Sequence, residues 1–255
     1  MLKLTRYILY DIMRNKIVLL YAGFLLVITL GLFQIEENSS KAILSLLTIV
    51  LTVVPLISLI FTTIHFYNSY EFIELMLAQP LSRARVLISQ FGGLSISLLG
   101  AFWIGAGVPA LLYSPDTTSV SLLLTGSLLT IIFISMALLT SVSARDKATG
   151  IGLALMIWFF FSLIYDGILL FALFALSDYP MEKTTLLLSA LNPVDLARIF
   201  IMLKMDVSVL MGYTGAVYKS FFGSTKGALF TLLVMLIWIA IPALLARRKF
   251  IRKDM

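Results

Sequence analysis

The chain holds few residues that could do chemistry, and they lie far apart. Asp166 interrupts a long apolar run, "GIGLALMIWFFFSLIYDGILLFALFALS". A carboxylate there is costly, about 2.5–3.5 kcal/mol at a helix centre, so it needs a compensating contact. That contact could be water in a cavity, a donor on a neighbouring helix, or a group on a cargo. His65 is the sole histidine. Without cysteine or adjacent acids it makes no metal site. Met202, Met205 and Met211 cluster in one loop outside the apolar runs. Thioethers ligate Cu(I), but methionine in amphipathic helices usually packs, so they are weak metal candidates only. Gly-Lys never occurs, which excludes a phosphate-binding loop. Any ATP hydrolysis must come from another subunit, and no cofactor is expected.

The elements around these residues are read from composition. Of 255 residues, 60% are hydrophobic and 13% charged, whereas a soluble domain is nearer half apolar and a quarter charged. Six apolar runs, about 17–35, 42–64, 86–113, 119–142, 149–176 and 227–246, are long enough to span a bilayer once each. The expected fold is therefore an all-α membrane protein, a single domain over 1–255. Thirteen Lys and Arg fall at the termini and in the loops after the second and fourth runs, while the opposite short loops carry only Lys41. This bias places both termini in the cytoplasm. The net charge of +6 is then a topology and lipid signal, with no nucleic-acid partner implied.

Three segments outside the spans carry structure. Leu4, Ile8 and Ile12 recur at i+4 with Lys3, Arg6 and Arg14 opposite, the pattern of an interfacial helix. Between the second and third runs, Phe66, Tyr70, Ile73 and Leu77 repeat at helical spacing beside Glu71 and Glu74. Pro80 ends that helix, Ser82 can cap the next, and Arg83 and Arg85 follow. An amphipathic cytoplasmic helix suits either a lipid surface or a partner protein. The loop 178–226 reads as outer amphipathic helices over 181–191, 193–204 and about 207–222. In it, Asn192 is a cap, Pro193 stands at the first helical position and Asp195 in the first turn. The third run carries Gly93, Ser97, Ala101 and Gly105, a small-residue stripe for close helix packing.

"EFIELMLAQPLSRARVLISQFGG" resembles the segment between the second and third spans of the type-2 ABC exporter permeases. An N-terminal elbow helix, six spans, the basic loop "SARDKATG" and the ending "RRKFIRKDM" agree with that family. The resemblance implies that Phe66, Tyr70, Glu71, Ile73, Glu74, Leu77, Pro80 and Arg83 form a coupling helix and its flank, seated on a cytoplasmic ABC ATPase dimer. A narrower likeness lies in "LNPVDLARIFIMLKMDVSVLMGYTGAVYKSFFG" and "YDGILL". These are similar to the permeases of nitrous oxide reductase maturation in denitrification. That implies a second copy of the chain, a NosF-type ATPase pair beneath, and a NosD-type periplasmic β-helix protein above. The implied task is assembly of the reductase's copper–sulfur centre, in a bacterial inner membrane. Asn192, Pro193, Asp195, Arg198, Tyr213 and Tyr218 would then belong to the periplasmic partner surface, and Asp166 to a cavity between two copies. Three other readings compete: a type-2 ABC exporter of another cargo, a mechanical relay that passes ATPase motion to a periplasmic partner and moves no solute, and an intramembrane enzyme built on Asp166 and His65.

Overall fold

The computed structural model describes residues 2–36, 38–79, 81–175, 187–205 and 225–252, all helical or connecting, with no strand among them. Eleven α-helices are described: α1 (Leu2–Met13), α2 (Lys16–Ile35), α3 (Ser39–Asn68), α4 (Tyr70–Leu77), α5 (Arg83–Phe102), α6 (Val108–Tyr113), α7 (Thr117–Ser143), α8 (Lys147–Phe159), α9 (Tyr165–Ala175), α10 (Pro193–Lys204) and α11 (Thr225–Arg252). Two π-helical turns, Trp103–Gly107 and Phe160–Ile164, join α5 to α6 and α8 to α9. Six helical stretches are long and apolar enough to cross a membrane: Lys16–Ile35, Ser39–Asn68, Arg83–Tyr113, Thr117–Ser143, Lys147–Ala172 and Gly227–Arg252.

The helix starts follow local chemistry. Asn15, Asn38, Asp116, Asp146 and Asn192 each occupy an N-cap, and each accepts a backbone N–H from the first turn with its side-chain oxygen. Helix α7 sits at the centre, packed between α3 and α11 and most deeply buried of the spans. It contains no ionisable residue, and most of its hydroxyls close on their own helix: Thr130 donates to the Gly126 carbonyl and Ser141 to that of Ala137. A polar sequence thereby remains compatible with an apolar core.

The small-residue stripe of α5 packs within the chain. A Cβ at Gly93 would stand 2.6 Å from Ile8 of α1, and one at Gly105 would stand 2.6 Å from the Ala22 carbonyl oxygen of α2. Backbones approach here because no side chain separates them. Helix α1 buries Ile8 and Ile12 against this surface and exposes Tyr7, Tyr10 and Met13, and Arg14 lies over the Tyr10 ring.

Candidate functional site

Two places gather the residues that the sequence singles out. The first is the hairpin between α3 and α5. Helix α3 ends at Asn68, and Ser69 turns the chain into α4. Phe66 therefore belongs to α3, not to the coupling helix. It is buried and meets Phe250 edge-on with ring centroids 6.3 Å apart. Ile73 is wholly buried, and Tyr70 and Leu77 are half-buried. The apolar stripe thus faces the chain's own helices. Phe72 stacks on Tyr7 of α1 at 5.4 Å. What α4 presents outward is Glu71, Glu74 and Leu75, the last 65% exposed. Beside them a groove of about 420 Å³ is lined by Glu74, Leu77, Ala78, Leu81 and Arg83. Ser82 stands at the N-cap of α5 without a side-chain capping bond. Arg83 donates to the Ile251 carbonyl, tying the hairpin to α11. Pro80 lies outside the described residues.

The surrounding helix ends are cross-linked by polar contacts. Lys147 Nζ donates to Asn68 Oδ1 at 2.8 Å, Lys249 Nζ to Ser143 Oγ at 3.0 Å, and the Tyr67 hydroxyl to the Ser141 carbonyl. Asp146 caps α8, and the Thr149 amide and hydroxyl hold its carboxyl below the usual range. His65 lies one turn from the end of α3, in a polar pocket with Asp11, Asn68, Ser69 and Gln90.

The second place is at the other end. Arg198 Nη1 donates to Asp166 Oδ2 at 2.7 Å and to Asp195 Oδ1 at 3.1 Å. The side chains of Arg198 and Asp166 are each about one-third exposed, at 33% and 31%, whereas Asp195 is 5% exposed. Burial first, then repulsion from Asp166, pushes the Asp195 carboxyl up to about 7, against the attraction of Arg198. At 1.5 Å per residue, Asp166 lies about 28 Å along its helix from Lys147. Thr48, which lines a cleft with Arg198, is about 30 Å from the inner end of α3. Both rulers put the cluster at the far edge of a hydrocarbon core about 30 Å thick. On these lengths Asp166 is nearer the far border of such a core than its middle. Asp166 and His65 are at opposite ends, so no joint catalytic site forms.

The turn before α10 is fixed by three donors. Asn192 Nδ2 reaches the Phe161 carbonyl inside the π-helical turn, the Tyr165 hydroxyl reaches the Leu188 carbonyl, and Trp238 Nε1 reaches that of Ala190. Helix α10 is then packed into the bundle: Val194, Leu196, Ala197, Ile199, Phe200 and Ile201 are buried. Asn192, Pro193 and Asp195 are buried as well. These three offer no free face to a partner in this arrangement; they hold α10 in place, and Arg198 turns to Asp166. The Asp166–Arg198 pair was missed in the sequence because 32 residues separate its members. The signal available was an arginine three residues after Asp195, on the same helix face. Met202 and Met205 pack against the core. Among the described residues, no group of three or more His, Asp or Glu could hold a metal ion. Met211, Tyr213 and Tyr218 lie outside the described residues.

Comparison with known proteins fits this architecture. The chain is 28% identical to the probable ABC transporter permease protein NosY of Stutzerimonas stutzeri, over 96% of this chain and 95% of the relative. It is 32% identical to the probable NosY permease of Pseudomonas aeruginosa over 54% of each chain. The model of the ABC-2 family transporter proteins matches residues 9–255, and with six membrane-length helices beneath that match the chain belongs to the ABC-2 transporter family.

Proposed function

We propose that the chain is the membrane subunit of an ABC transporter that works as a homodimer on a separate ATPase pair, in the maturation of a copper–sulfur centre. The observation that carries the coupling part is the outward face of α4. Its buried side is consumed within the chain's own bundle, which leaves Glu71, Glu74 and Leu75 exposed beside an open groove among the described residues. A partner with a basic rim suits that acidic face, and charge there chiefly sets register and encounter rate. The termini and this hairpin share the cytoplasmic side, as the thirteen basic residues require.

Likeness to NosY supports the finer reading: a NosF-type ATPase below, a NosD-type periplasmic β-helix protein above, in a bacterial inner membrane. Since Asn192, Pro193 and Asp195 are buried, that partner's surface is assigned to other parts of 178–226. The relay reading also gains an observation. A solute path would give an acid in the membrane a use that a relay lacks, yet Arg198 of the same chain already compensates Asp166.

The test is co-purification. Wild-type permease should retain its ABC ATPase at fixed stoichiometry, and the double variant Glu71→Lys/Glu74→Lys should lose it while remaining folded and monodisperse. Full retention with unchanged ATP hydrolysis would remove α4 from the interface.

A further inference from the structure

The cluster of Asp166, Asp195 and Arg198 sets two carboxylates against one cation. One guanidinium faces two carboxylates, and its Nη1 serves one oxygen of each. The remaining oxygens, Asp166 Oδ1 and Asp195 Oδ2, are both buried and take part in no hydrogen bond. Asp195 is 4% exposed, so bulk water does not solvate it. Two ionised carboxylates in contact repel, and a buried acceptor without a donor costs about 1–3 kcal/mol.

Among the described residues, other charges do not relieve this. Helix α7 has no ionisable side chain, and α3 brings Thr48 and Thr52 to this level, with Lys41 about two turns farther out. Asn192 is engaged with Val194 and Phe161 and opposes the upward push on Asp195 only weakly, and the Tyr165 hydroxyl is engaged with Leu188.

We propose that Asp166 and Asp195 form a binding site for one proton, held between their two unpartnered oxygens and clamped by Arg198. The bound proton gives one of those oxygens an O–H that donates to the other, and the cluster becomes neutral. The upward push on Asp195 from burial and from Asp166 agrees with this arrangement. When the proton leaves through the one-third-exposed Asp166 to water, two like charges remain against one guanidinium. The grip of α10 on α9 then weakens, so the site is a proton-dependent latch on the outer helix. This inference rests on the side-chain geometry and not on the cargo.

The experiment is infrared titration of the full chain in lipid nanodiscs, from about pH 5 to about pH 9. The wild type should show a protonated carboxyl C=O band that disappears with a midpoint near neutrality. Asp195→Asn should abolish it. Asp166→Asn should move the midpoint down, since the repelling charge is gone, and Arg198→Gln should move it up. A wild type without such a band, or a midpoint unmoved by Asp166→Asn, overturns the proposal. So does loss of the band on adding sodium or magnesium at constant pH, which would make the site one for a metal cation. The wild-type titration decides even where a variant fails to fold.

Discussion

At the scale of residues, the membrane carboxylate dictates the chemistry around it. Asp166 is held by an arginine of the same chain, and both are partly open to solvent, which limits the strength of the pair. Removing Arg198 leaves both carboxylates without their cation, and removing Asp166 leaves Arg198 with Asp195 alone. Asp166→Leu and Arg198→Leu should each destabilise the folded chain by about 1–2 kcal/mol, and the double variant by less than the sum of the two. Thermal unfolding in detergent measures that cycle; strict additivity would deny the interaction. Asp195 gives a pH dependence of defined sign. Its folded value lies above the ordinary 3.8, so its share of stability is complete below pH 3.8 and is lost as pH rises toward about 7. Asp195→Asn should flatten that decline and unfold at a higher temperature than the wild type at alkaline pH. An unchanged slope would mean that Asp195 ionises normally.

At the scale of elements, the sequence was legible where one local rule governs. Asn192 and Pro193 announce the start of α10, and the helix begins there because a cap and a preset φ act over four residues. Periodicity also marked the stripe around Ile73, but could not say what it faces. An apolar stripe is equally suited to a partner groove and to the protein's own bundle, and here Ile73 faces the bundle. Helix α10 failed as a surface helix for a related reason: its length is too short to span, which excludes crossing the membrane but not burial among spans. The glycine stripe was legible because only small residues permit backbone contact. Gly105→Val should therefore separate α2 from α5, with overpacking costs of about 1–3 kcal/mol. Gly100→Val, on open space one helical turn away, should cost little beyond propensity. Equal losses of thermal stability at the two sites would contradict the packing.

At the scale of the whole molecule, composition alone established the class, since no soluble fold accommodates six such apolar runs. The long-range pairs that join the ends of the bundle, Lys147 with Asn68 and Lys249 with Ser143, have no local signature. They brace the end that carries α4, joining α3 to α8 and α7 to α11. The central claim is that this end, and not the one bearing Asp166 and Arg198, receives the ATPase. The chain has no cysteine, so single cysteines can be placed at Leu75 on α4 and at Leu112 near the opposite end, both strongly exposed. Site-specific cross-linking in membranes with the ATPase present tests the claim directly. A cross-linked permease–ATPase species from Leu75→Cys and none from Leu112→Cys is the predicted result. A cross-link from Leu112→Cys and none from Leu75→Cys would contradict it.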